Sequence, residues 1–117
     1  MAAAALVIGL ALPATAAAGG FTARLHANGH EPHVGMWPVT VTATRGRQKL
    51  SGSVYYRFLW HGQLVNRYQS GGHFRNGVYH DKLKWPAKAI GHTITLQVVV
   101  QTRYGTDYLN WWIRVRK

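Results

Sequence analysis

Residues 92–117 read HTITLQVVVQTRYGTDYLNWWIRVRK, and their alternation decides the fold class. Ile94, Leu96, Val98 and Val100 alternate with Thr95, Gln97, Val99 and Gln101. Successive side chains of an extended chain point to opposite faces, so this run has an apolar face and a more polar one. Gly105 and its neighbours break the run, and glycine supplies the backbone angles a hairpin turn needs. The return run, residues 108–116, places Leu109, Trp111, Ile113 and Val115 on the core side. A helix would repeat its apolar residues every three or four positions, and no stretch of the chain keeps that period. The segment reads as a long antiparallel hairpin.

Upstream, β-branched and aromatic residues recur in short runs separated by Gly, Pro and Asn, the pattern of a sandwich or barrel. Residues 21–25 form the first run, and a loop with Gly29, Pro32 and Gly35 follows. Pro38 opens the second run, residues 39–44, at a first position where a strand tolerates proline. A basic turn, Arg45-Gly46-Arg47-Gln48-Lys49, leads to residues 53–60. There Val54, Tyr56, Phe58 and Trp60 share one face, and Tyr55, Arg57 and Leu59 the other. His61-Gly62 reads as a tight turn into residues 63–68, and Gly71, Gly72 and Gly77 bracket the next loop. In residues 78–85, Tyr79, Asp81, Leu83 and Trp85 alternate with Val78, His80, Lys82 and Lys84. Asp81 on that apolar face calls for a strand end or a basic partner. After Pro86, residues 87–90 can form one helical turn. About six to seven strands of this kind predict an all-β, antiparallel two-sheet sandwich. Its core should contain Val39, Val41, Phe58, Leu83, Ile94, Leu96, Val98, Val100, Trp111 and Ile113.

The run from Pro86 through Gly91 into His92-Thr93-Ile94-Thr95-Leu96-Gln97-Val98, then Tyr104-Gly105-Thr106 and a last strand, resembles the end of a bacterial immunoglobulin-like or fibronectin-type-III-like secreted domain. The resemblance covers residues 21–117. It implies an immunoglobulin-like sandwich, with Trp60 in the place of the core tryptophan and no disulfide. Such domains serve adhesion, spacing or binding, so the resemblance implies no catalytic residue.

Composition narrows the class further. At 117 residues the chain has room for one domain. Fourteen Lys and Arg against three acids, Glu31, Asp81 and Asp107, give a formal charge of +11. Such a charge favours anionic partners: nucleic acid, an anionic wall polymer or an acidic membrane surface. There is no cysteine, which removes disulfides, thiolate metal sites and a cysteine nucleophile. Residues 1–20, MAAAALVIGLALPATAAAGG, have the layout of a secretory signal peptide. A short apolar run ends at Pro13, and small-x-small sites follow. The mature domain is then residues 21–117, beginning close to residues 17–21, in an extracellular or cell-envelope setting. No Lys or Arg precedes the apolar run, so the expectation is a true start upstream or a Met1 internal to the signal; the alternative is an uncleaved N-terminal anchor.

Candidate chemistry is sparse. His26, His30 and His33 fall within eight residues and are weak metal-ligand candidates, since imidazole binds zinc, copper and nickel. Their spacing matches no zinc motif, and no cofactor is expected. Three scattered acids do not make a glycosidase pair. Ser51, Ser53 and Ser70 sit in no G-x-S-x-G turn, and no glycine-rich loop opens a helix, so the reading is not an enzyme. The better constellation is a sheet face. With apolar residues inward, the third, long and final strands turn Tyr55, Arg57, Gln97, Gln101, Arg103, Tyr108, Asn110, Trp112 and Arg114 to solvent. Trp111 and Trp112 are adjacent, so a regular strand points one of them outward. The expectation is a binding or adhesion module for an anionic polysaccharide, wall polymer or other polyanion. The alternatives are a structural spacer and a histidine-based metal-binding protein. No membrane span is expected in the mature chain.

Overall fold

The computed structural model of the chain describes residues 14–18, 20–85 and 87–117. Nine strands run through them in order: β1 (Ala14–Ala18), β2 (Phe21–Ala27), β3 (Gly35–Arg45), β4 (Gln48–Lys49), β5 (Gly52–Trp60), β6 (Gln63–Phe74), β7 (Val78–Trp85), β8 (Thr93–Thr102) and β9 (Gly105–Arg114). The only helical element among the described residues is a 3-10 turn, Ala87–Ala89, where one turn was expected. All strand pairs are antiparallel and fall into two sheets. One has the order β1-β2-β3, with β4 and β7 both on the far side of β3. The other has the order β6-β5-β8-β9, so the third, long and final strands do share a sheet.

The two sheets bury facing rows of alternate residues. From the first come Leu25, Val39, Val41, Leu83 and Trp85; from the second, Tyr56, Phe58, Leu96, Val98, Leu109, Trp111 and Ile113. Nine of the ten expected core residues are buried, and Ile94 is half-buried against the same cluster. Each fully buried aliphatic or phenyl side chain contributes about 1.5–3 kcal/mol, and with no disulfide this packing holds the sheets together. Its aromatic centre is Trp85, whose ring centroid lies 5.7 Å from that of Trp37 and 5.4 Å from that of Phe58.

Where the strands differ from expectation, the chemistry explains it. Pro38 lies inside β3, opposite Lys82 of β7. Pairing with β2 ends at Val39, so at Pro38 the strand has a single neighbour, an edge position that accepts a residue without N–H. Gly71 and Gly72, expected in a loop, belong to β6. The register of β5 and β6 shifts between Tyr55 and Tyr56, and Gly71 pairs there with φ of 151°. A Cβ at Gly71 would collide with the Val54 carbonyl oxygen, so this glycine permits a bulge, not a turn. His61-Gly62 is the expected tight turn, with φ of 52° and 79°.

Trp60 is not the core tryptophan. A second register shift between Phe58 and Leu59 precedes it, pairing with β8 stops at Leu59, and the side chain is 47% exposed. The buried tryptophan at the aromatic centre is Trp85, on a different strand, β7. Asp81 lies mid-strand, and among the described residues no basic side chain pairs with it. Its Oδ2 accepts hydrogen bonds from the Tyr56 hydroxyl at 2.8 Å and the Tyr79 hydroxyl at 3.3 Å, which ties β7 to the opposite sheet. Burial, and then the charge and hydrogen bonding of Asp81, push the Tyr79 phenol above its ordinary value. Of the segment read as an export signal, Ala14–Ala18 pair with β2, and residues 1–13 and 19 lie outside the described residues.

Candidate functional site

The outer face of the β6-β5-β8-β9 sheet is built in rows by the strand register. Arg57 lies opposite Gln97, and Gln97 opposite Asn110. Tyr55, Val99 and Tyr108 form the next row, and Leu59, Thr95 and Trp112 the row on the other side. Neighbouring strands lie about 4.8 Å apart, and successive rows about 6.7 Å, so the groups form a close grid. The Gln97 amide donates to Asn110 Oδ1 at 3.1 Å, which orients both side chains. Val99 points to this outer face yet is fully buried, between the two tyrosines of its row. Alternation alone places Val99 in solvent; the missing information is that Tyr55 and Tyr108 flank it across both strand pairings.

Trp112 and Tyr108 are 49% and 50% exposed. Trp112 is the outward member of the Trp pair, and Trp111 is the buried one. One side of the outward indole is occupied: the His30 ring stacks on it at 4.2 Å and on Trp111 at 4.3 Å. His30 Nδ1 lies 2.7 Å from the Trp112 carbonyl oxygen, which accepts its hydrogen bond. The Trp111 indole N–H donates to the Gly29 carbonyl at 2.8 Å. The Arg114 and Arg116 amides donate to the carbonyls of His30 and Pro32. The loop at residues 28–34 thus covers the open edge of β9 at its C-terminal end, a position that would otherwise offer unpaired backbone groups.

The structure brings Tyr55, Arg57, Gln97, Tyr108, Asn110, Trp112 and Arg114 onto this face, all from strand positions of outward parity. Arg114 reaches back to the Thr93 hydroxyl at 3.4 Å. Gln101 and Arg103 lie away from its centre. Gln101 accepts from the Ser53 hydroxyl at 3.3 Å at the far end of β8, and Arg103 is in the β8–β9 turn, 5.5 Å from the Tyr104 ring centre. Both line an open cleft there with Ser51, His73 and Arg75.

The histidine trio is not drawn together. His26 projects from β2 opposite Thr40, His30 is committed to the tryptophans, and His33 Nδ1 bonds the Lys117 carbonyl at 3.0 Å. Among the described residues no three His, Cys, Asp or Glu side chains are grouped for a metal ion. No helix among the described residues is long and apolar enough to cross a membrane.

Asp81 and Asp107 lie away from the aromatic face, and Glu31 sits at its edge, next to the His30 that stacks on Trp112. Glu31 pairs with Arg116, its Oε1 lying 2.6 Å from Nη2. Asp81 is held by the tyrosine hydroxyls. Asp107 is buried at the start of β9, where desolvation pushes its carboxyl above the usual range and Oδ2 has no hydrogen-bond partner. No family model, curated protein or solved structure matches the chain.

Proposed function

We propose that the chain is an exported, non-enzymatic binding or adhesion module that holds an anionic polymer or glycan against the outer face of the β6-β5-β8-β9 sheet. The observation that carries this reading is the half-exposure of Trp112 and Tyr108 on one sheet face with Arg57, Arg114, Gln97 and Asn110, and no acid among them. Flat aromatic surfaces stack on sugar rings, guanidinium groups pair with anionic substituents, and side-chain amides hydrogen-bond hydroxyls. The strand order supports an immunoglobulin-like classification. The order β6-β5-β8-β9 corresponds to strands C′, C, F and G of that fold, and β2-β3-β7 to A, B and E.

A second reading, a spacer or envelope domain without a specific ligand, is favoured by one observation. His30 already occupies one side of the Trp112 indole, which gives that tryptophan a structural duty. One experiment separates the two. The full sequence is expressed for export, the exported material is weighed by mass spectrometry, and the same material is screened against sulfated glycans, wall polymers and DNA at low salt. The binding reading expects a chain starting near residues 17–21 that retains at least one polyanion. Material that ignores all of them leaves the spacer reading in place. Retention of residues 1–12 would replace a cleaved signal by an anchor.

A further inference from the structure

At the end of the sandwich where β5 begins and β6 and β8 finish lies an open cleft of about 500 Å3. Ser51 and Ser53 form one wall, His73 and Arg75 the second, and Gln101 and Arg103 the third. Gly52 sits between the serines. A Cβ there would collide with the Gln101 carbonyl oxygen and come within 3.0 Å of the Phe74 ring. The absent side chain therefore lets β5 press against β8 while its flanking hydroxyls stay in the cleft.

The cleft is lined by donors and by no carboxylate. Two guanidinium groups, an imidazole, an amide and the hydroxyls of Ser51, Ser53 and Thr102 line it from three sides. The Gln101 Oε1 accepts from the Ser53 hydroxyl, which leaves its amide N–H2 to donate elsewhere. Arg103 has Tyr104 beside it, and Arg45 lies over the same ring at 4.3 Å. A guanidinium held beside a ring keeps its N–H edge for an anion. The same end of the molecule carries Arg47 and Lys49 in and after the β3–β4 turn. Glu31 and Asp81 are engaged at other places, and Asp107, buried opposite Val100 near this end, is not among the lining residues.

We propose that this cleft is a site for one tetrahedral oxyanion, a phosphate or sulfate group, at the edge of the aromatic face, one row beyond Tyr55 and Tyr108. Donors converging from three walls suit three or four oxygens arranged around a centre better than the two coplanar oxygens of a carboxylate. Arg75 and Arg103 supply charge-assisted hydrogen bonds, the stronger kind, and Gln101 and Ser51 complete the shell. The inference rests on the polymer-binding reading only for the source of the group, an ester borne by the polymer. The free ion alone should occupy the site.

The test is titration of the isotope-labelled chain with inorganic phosphate and, separately, with sodium sulfate, at ionic strength held constant with chloride, followed by amide and arginine side-chain resonances. Saturating shifts should appear at residues 51–53, 73–75 and 101–103 and at the Gln101 side-chain amide. The tighter of the two ions names the ester. The double variant Arg75→Gln, Arg103→Gln should lower the affinity about tenfold or more without moving the melting temperature, because both side chains are at the surface. Trp112→Ala should leave the ion affinity unchanged. Shifts that never saturate, that spread over all lysines and arginines alike, or that persist in the double variant would overturn the proposal. A chain that saturates with either ion yet ignores every polymer keeps the cleft and loses the polymer reading.

Discussion

Asp107 carries its carboxyl inward from the third position of β9, and its Oδ2 finds no partner there. Burial raises its proton affinity above the ordinary value of 3.8. The folded state therefore holds that proton more tightly than the unfolded chain does. The resulting stability is complete below the ordinary value and is lost as pH rises through the elevated one. Asp107→Asn keeps the shape and removes the ionisable group. It should melt higher than the native chain at pH 7, because the buried carboxyl resists the ionisation that the unfolded chain undergoes freely. The difference should close as pH falls below the carboxylate range. Thermal melts of both proteins at several pH values check this, and an Asn variant less stable at neutral pH would mean that the carboxylate has a role in the fold. Asp107 was legible in the sequence only as an acid in front of a strand. Its inward side follows from the start of β9 at Gly105, two residues before it.

At the level of elements, the long runs were readable because alternation is a local property. The β8–β9 hairpin, the His61-Gly62 turn and the strand over residues 78–85 all follow from it. What alternation cannot supply is the register between strands. The two shifts between β5 and β6 moved Trp60 out of the core and made strand of Gly71-Gly72, and both depend on partners far along the chain. The aromatic sheet face shows the same division. Parity placed Trp112, Tyr108 and Arg57 outward, but only pairing placed Gln101 and Arg103 in the cleft and His30 on Trp112. The bulge gives the element-scale prediction. Gly71→Ala requires a left-handed backbone and a collision with the Val54 carbonyl, so it should destabilise by roughly 2 kcal/mol or more in denaturant titration. An unchanged midpoint would contradict the register assigned to β6.

Across the whole molecule, charge and aromatic groups are sorted by surface. Arginines gather at the end that holds the cleft, with Arg45, Arg47, Arg75 and Arg103 in or beside its turns. At the other end His61 and His92 flank Trp60 and His30 lies on Trp112, while His73 stays in the cleft. Between them the β6-β5-β8-β9 face mixes aromatic rings with Arg57 and Arg114. Binding of a polyanion there should have two separable parts. The Coulombic part weakens with salt, since the Debye length falls from about 10 Å at 0.1 M to about 3 Å at 1 M. The stacking part, worth on the order of 1 kcal/mol or more, is little affected by salt. The most direct measurement is the affinity of the chain for dextran sulfate across that salt range, for the native protein, Arg114→Ala and Trp112→Ala. The face described here predicts a flatter salt dependence for Arg114→Ala and, for Trp112→Ala, a loss of about fivefold or more at every salt concentration, in a protein that still melts cooperatively. A Trp112→Ala protein that is folded and binds as tightly as the native chain would contradict the account.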